Sequence, residues 1–102
     1  MIHVIAVITA KPGQRAKILE AFRANVAAVR AEKGCIEYGA ALDADTSLSI
    51  QAKWGPDTFL VVEKWESLDA LKAHAAAPHM AAYAGKTKEM IASRQIYILN
   101  PA

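Results

Sequence analysis

The sequence predicts one α+β domain in which an antiparallel sheet carries its helices on a single face, in the order β-α-β-β-α-β. Three observations carry this reading. Apolar stretches with β-branched or aromatic residues occur at Ile2 to Thr9, Phe59 to Trp65 and Arg94 to Leu99. Between them apolar residues recur at helical spacing, and glycine and proline turns punctuate the changes of period. The 102 residues suit one domain and the 54% hydrophobic content supplies one core, so residues 1–102 are read as a single unit.

Each element has its own justification. Ile2 to Thr9 is the first strand, and Lys11-Pro12-Gly13-Gln14 is a turn that places proline near a helix start. Ile18, Leu19, Phe22, Val26 and Val29 then share one helical face, opposite Lys17, Glu20, Arg23 and Arg30, which predicts an amphipathic helix over roughly Gln14 to Glu32. Gly34 stops it. Cys35 to Leu42 is the second strand, broken by the polar run Asp43-Ala44-Asp45-Thr46-Ser47. Leu48 to Trp54 is expected as a short additional strand or hairpin arm. After the turn at Gly55-Pro56-Asp57 comes the strand Phe59 to Trp65. Ser67 caps the next helix, Pro78 interrupts it, Met80 to Ile91 forms its second segment, and Arg94 to Leu99 closes the sheet. This order is the ferredoxin-like arrangement.

Composition excludes several classes. The 12 basic and 10 acidic residues are scattered, so the concentrated basic face that nucleic acid requires is absent. Cys35 is the only cysteine, which allows no internal disulfide and leaves a reducing compartment, the cytoplasm, as the expectation. The apolar run Ile2 to Ala10 is too short for a membrane span or signal peptide. The histidines lack the spacing of a zinc helix, no glycine-rich phosphate loop is present, and neither metal nor cofactor is expected.

Both sides of the sheet read as apolar. Ile2, Val4, Ala6 and Ile8 oppose Ile5 and Val7; Phe59 and Val61 oppose Leu60 and Val62; Ile96 and Ile98 oppose Tyr97 and Leu99. The helices suffice for one face, so a second copy of the chain is expected to cover the other, giving a homodimer through the sheet.

Glu63-Lys64-Trp65-Glu66-Ser67-Leu68-Asp69-Ala70-Leu71-Lys72-Ala73-His74, followed by Pro78-His79-Met80, resembles the signature block of the antibiotic biosynthesis monooxygenase family. Gly34-Cys35-Ile36-Glu37-Tyr38 resembles that family's entry to the second strand, and Lys11-Pro12-Gly13 matches its first turn. The resemblance implies a dimeric α+β barrel with a pocket between sheet and helices. It also implies oxygenation of a quinol or related electron-rich aromatic by O2 without flavin or metal. Relatives that isomerise small carbonyl metabolites, or that merely bind a ligand, supply the alternative readings. Haem degradation is disfavoured, because that branch carries an asparagine on the first strand and Ile2 to Ala10 has none. Two departures stand out: Lys33 replaces a frequent proline, and the Asp45 to Pro56 stretch is long.

Such chemistry calls for a base, an apolar room and a donor for developing oxyanion charge. His74, one turn after Leu71 on the sheet-facing side, is the first candidate base, and the same position suits a hydrogen-bonded core histidine. Glu63 shares a strand face with Phe59, Val61 and Trp65, where burial would raise its pKa and suit it to acid or base work; a plain ion pair is the competing role. Trp65, Tyr38, His79 and Tyr83 complete the expected substrate-binding set, the tryptophan as a flat wall and the tyrosines as donors, each with ordinary packing as its alternative.

Overall fold

The computed structural model describes residues 1–102. The elements are β1 (Ile2–Ala10), α1 (Arg15–Arg30), β2 (Cys35–Ala41), β3 (Thr58–Trp65), α2 (Leu68–Ala75), α3 (Pro78–Thr87), a 3-10 turn (Lys88–Met90) and β4 (Ile91–Leu99). The strands form one antiparallel sheet in the order β2-β3-β1-β4. The expected ferredoxin-like arrangement is thus present, with its second helix split in two.

The alternation along β1 and β3 decides where the core lies. Val4, Ala6, Ile8 and Ala10 face the helices together with Phe59, Val61 and Trp65, and α1 adds Ile18, Leu19, Phe22 and Val29 from one stripe. Phe22 is the hub: its ring stacks on Tyr38 at 5.1 Å and meets the edges of Phe59 and Tyr83 at 6.2 Å each. On the opposite face Ile5 pairs with Val62 and Tyr97, and Val7 with Leu60 and Gln95. Tyr97 and Leu99 stand exposed there, and β4, at the sheet edge, is uncovered along nearly its whole length.

Three expected boundaries are corrected. Leu48 to Trp54 forms no strand. Its polar groups are satisfied locally instead: the Asp43 carboxylate accepts the amides of Trp54 and Gly55 at 2.9 Å each, the Thr46 hydroxyl donates to Gln51, and the Gln51 amide donates to the carbonyl of Ala44. Those two amide bonds also lower the Asp43 pKa. The helix expected over Met80 to Ile91 begins at Pro78, since proline suits the first helical turn, and ends at Thr87, whose hydroxyl donates to the carbonyl of Tyr83. β4 therefore starts at Ile91, where it pairs with Ala10, three residues before the expected Arg94.

Gly34 marks the joint that seats α2. Its φ of 86° is a left-handed conformation, and a Cβ there would lie 2.6 Å from the Cβ of Ala70. Its carbonyl accepts the amide of Glu66, just ahead of α2. Gly34→Ala combines a positive φ with overpacking and is expected to cost about 3 kcal/mol. A urea titration checks this, with a lowered midpoint at unchanged slope as the outcome.

Candidate active site

A cavity of about 600 Å³ opens between the helices and the sheet, a size typical of small-molecule sites. Val4, Ala6, Ile8 and Val61 form its floor and Leu71, Ala75, Met80, Ala81 and Ala84 its helical wall. Tyr38, Glu63, His74 and Tyr83, four of the six residues picked from sequence, line it. Trp65 and His79 do not. Trp65 is wholly buried behind the wall, its ring centroid 4.6 Å from that of His74, and serves as backing. His79 lies to the side, half-buried.

Glu32, which sequence reasoning passed over as the end of a helix, joins the two histidines. Its Oε2 lies 2.9 Å from His74 Nδ1 and 2.8 Å from His79 Nε2. A carboxylate only accepts, so both ring nitrogens donate to it. That fixes the neutral His74 ring with its lone pair on Nε2, which lies 3.9 Å from Glu63 Oε1. The helix ends at Arg30 and the chain turns toward Gly34, which swings Glu32 under α2. No local signal ties it to a histidine 42 positions away.

Glu63 faces inward because β3 alternates, and its Oε1 accepts the indole N–H of Trp65 at 2.9 Å. Burial raises its pKa, against the opposing pull of that hydrogen bond and of His74. Burial also pushes the Tyr38 hydroxyl well above its ordinary range and that of Tyr83 up to about 12, the latter tempered by Arg94. Both phenols therefore remain neutral donors at physiological pH. The Cys35 thiol is raised by burial and by Glu32 and Glu63, and it packs beside the core as a small apolar group. No three His, Cys, Asp or Glu side chains are arranged to hold a metal ion.

The raised Glu63 pKa has a consequence for stability. The native state binds this proton more tightly than the unfolded chain, so this contribution to folding is complete below the unfolded carboxyl range and is lost as pH climbs from there through the raised native value. Glu63→Gln removes the titrating group while keeping an acceptor for Trp65. It is expected to melt several degrees above the parent at neutral pH, the margin vanishing near pH of about 3, where both states of the parent are protonated. Thermal melts across the pH range check this.

The family model described as antibiotic biosynthesis monooxygenase matches residues 1–86. The chain belongs to that family. It is 38% identical over 103 residues, covering 99% of this chain and 98% of the relative, to the "Probable quinol monooxygenase YgiN" of Escherichia coli. Among solved structures it superposes on PA3566 from Pseudomonas aeruginosa with a TM-score of 0.81 and 28% identity, covering 99% of this chain and 93% of that one. Rv0793 from Mycobacterium tuberculosis shares the fold, with a TM-score of 0.80 at 24% identity and coverage of 99% and 94%. The family's helix-and-sheet frame thus spans the chain, and no helix is long and apolar enough to cross a membrane.

Proposed function

We propose that this member of the family is a quinol monooxygenase that needs neither flavin nor metal, its substrate supplying the electrons that reduce O2. The observation that carries the reading is His74, held by Glu32 on one side, with its free nitrogen beside Glu63 at the wall of an apolar cavity. The relationship to a probable quinol monooxygenase adds the reaction class.

The residues divide the work. His74 Nε2 takes a proton from a quinol hydroxyl, and the Glu32 carboxylate stabilises the imidazolium that results. The quinolate passes one electron to O2, and the semiquinone and superoxide combine at a ring carbon to give a hydroperoxide. Its O–O bond then breaks: one oxygen stays on the ring and the other leaves as water, so hydroquinone plus O2 gives hydroxyquinone plus water. Glu63, whose burial favours the protonated carboxyl, supplies a proton to the departing oxygen. The neutral Tyr38 and Tyr83 hydroxyls donate to oxyanion charge, and Phe22, Met80 and Ile91 keep water from the intermediates. Trp65 fixes Glu63 and His79 steadies Glu32, as positioning residues. An oxygen electrode charged with a naphthohydroquinone tests the reading: uptake above autoxidation, with a hydroxyquinone product by mass spectrometry, supports it, and uptake equal to the blank overturns it.

The chain acts as a homodimer in this reading. Ile5, Val7, Leu60, Val62, Tyr97 and Leu99 form an apolar sheet face that no helix covers. The expected sedimentation mass is twice that of one chain, falling to the single mass in Val62→Lys. A lone free cysteine accords with a cytoplasmic setting.

A further inference from the structure

The cavity is apolar at 14 of its 19 lining residues, yet one end holds two cations, Lys88 from the 3-10 turn and Arg94 from β4. Neither belongs to an ion pair of the fold. Arg15 and Arg30, by contrast, are spent on backbone carbonyls. Arg94 stands opposite Ile8 on the sheet face that floors the cavity, and it lines the cavity together with Tyr83, whose hydroxyl it pulls down against the effect of burial.

The sheet register sets the distance between the cationic end and the acid-base end. Arg94 is opposite Ile8 and Glu63 opposite Val4, four residues apart along β1 and on strands that flank it. Strand geometry makes that about 13 Å along and about 10 Å across, so about 16 Å between the two backbones. A separation of that size accommodates a fused two-ring aromatic with a polar group at each end.

We propose that the substrate is an aromatic hydroquinone bearing an anionic substituent, carboxylate or sulfonate, which pairs with Arg94 and Lys88 while its hydroxyl meets His74. This rests on the quinol monooxygenase reading for the chemistry but not for the binding. A charge held at the cationic end orients the ring, so that the hydroxyl and not the substituent enters the acid-base end. It also accounts for a cationic end beside an apolar floor.

Two redox-inert probes, naphthalene carboxylate and its uncharged methanol analogue, separate binding from turnover in isothermal calorimetry. The carboxylate is expected to bind about 10-fold more tightly at low salt, an advantage that high salt erodes. In the double variant Arg94→Gln with Lys88→Gln the ratio of the two affinities is expected to fall near one, and in Arg94→Glu with Lys88→Glu to reverse. Both positions are exposed, so circular dichroism should show an unchanged fold. Equal or tighter binding of the neutral probe, failure of both probes to bind, or a ratio unaffected by the double variant would overturn the proposal. Oxygen uptake with naphthohydroquinone and its sulfonate is scored separately. A carboxylate preference without uptake sinks the monooxygenase reading alone; uptake without preference sinks the anion site alone.

Discussion

Oxygen uptake with a naphthohydroquinone is expected to fall in His74→Ala by about 10²–10⁴-fold, the usual contribution of a positioned general base. The loss should lie in kcat, since the ring is one of 19 lining residues and the apolar surface that binds substrate remains. Packing alone would produce a different pattern. The imidazole is buried between Tyr38 and Trp65, with centroids at 5.5 and 4.6 Å, so removing it also costs stability; yet a folded, slightly less stable protein would keep its turnover if His74 were merely structural. Glu32→Gln gives the finer test. It retains a hydrogen-bond acceptor but removes the negative charge that favours the imidazolium, so kcat should drop by about 10-fold with little change in KM. A kcat unchanged in both variants would refute the assignment.

Trp65→Ala should be the most destabilising single change considered, at about 3–5 kcal/mol. The indole is fully buried, and its loss opens a cavity under the end of β3. It also leaves the inward carboxyl of Glu63 without its N–H donor and His74 without a ring to lean on. For a domain of this length such a loss lowers the melting temperature by roughly 15–30 °C. Trp65→Phe separates the two contributions. Most of the apolar volume survives, while the missing N–H removes the one bond that holds the Glu63 pKa down, so that carboxyl should titrate higher still. Loss of less than about 1 kcal/mol in the alanine variant would contradict the packing described here.

Much of the frame was legible because it depends on local period. The alternation from Ile2 to Thr9 and from Phe59 to Trp65, and the stripe Ile18, Leu19, Phe22, Val26 and Val29, are properties of neighbouring residues, and each fixed an element and its buried side. Glu63 and His74 could be aimed at the cavity for the same reason. Glu32 could not, because its contact with His74 depends on a turn that brings it beneath a helix far along the chain. Trp65 reads either as a pocket wall or as core, and the core position is the one it takes, its indole N–H donating to the carboxylate two residues earlier. The Leu48 to Trp54 stretch has strand-like composition, and Asp43 overrides it by capturing the amide of Trp54 at its end and that of Gly55 just beyond. Arg94 read simply as a strand-start residue, since nothing in a linear sequence tells which cations lack partners.

The helical wall of the cavity is made largely of alanine: Ala75, Ala81 and Ala84 project nothing beyond a methyl group into it. A larger residue at any one of them takes space from the empty room and not from Phe22, Phe59 or Trp65, which carry the core. The capacity of the room is therefore uncoupled from the integrity of the frame. Such a lineage can drift between ligands of different girth by single steps, each nearly neutral for folding, while His74 and Glu63 stay where they are.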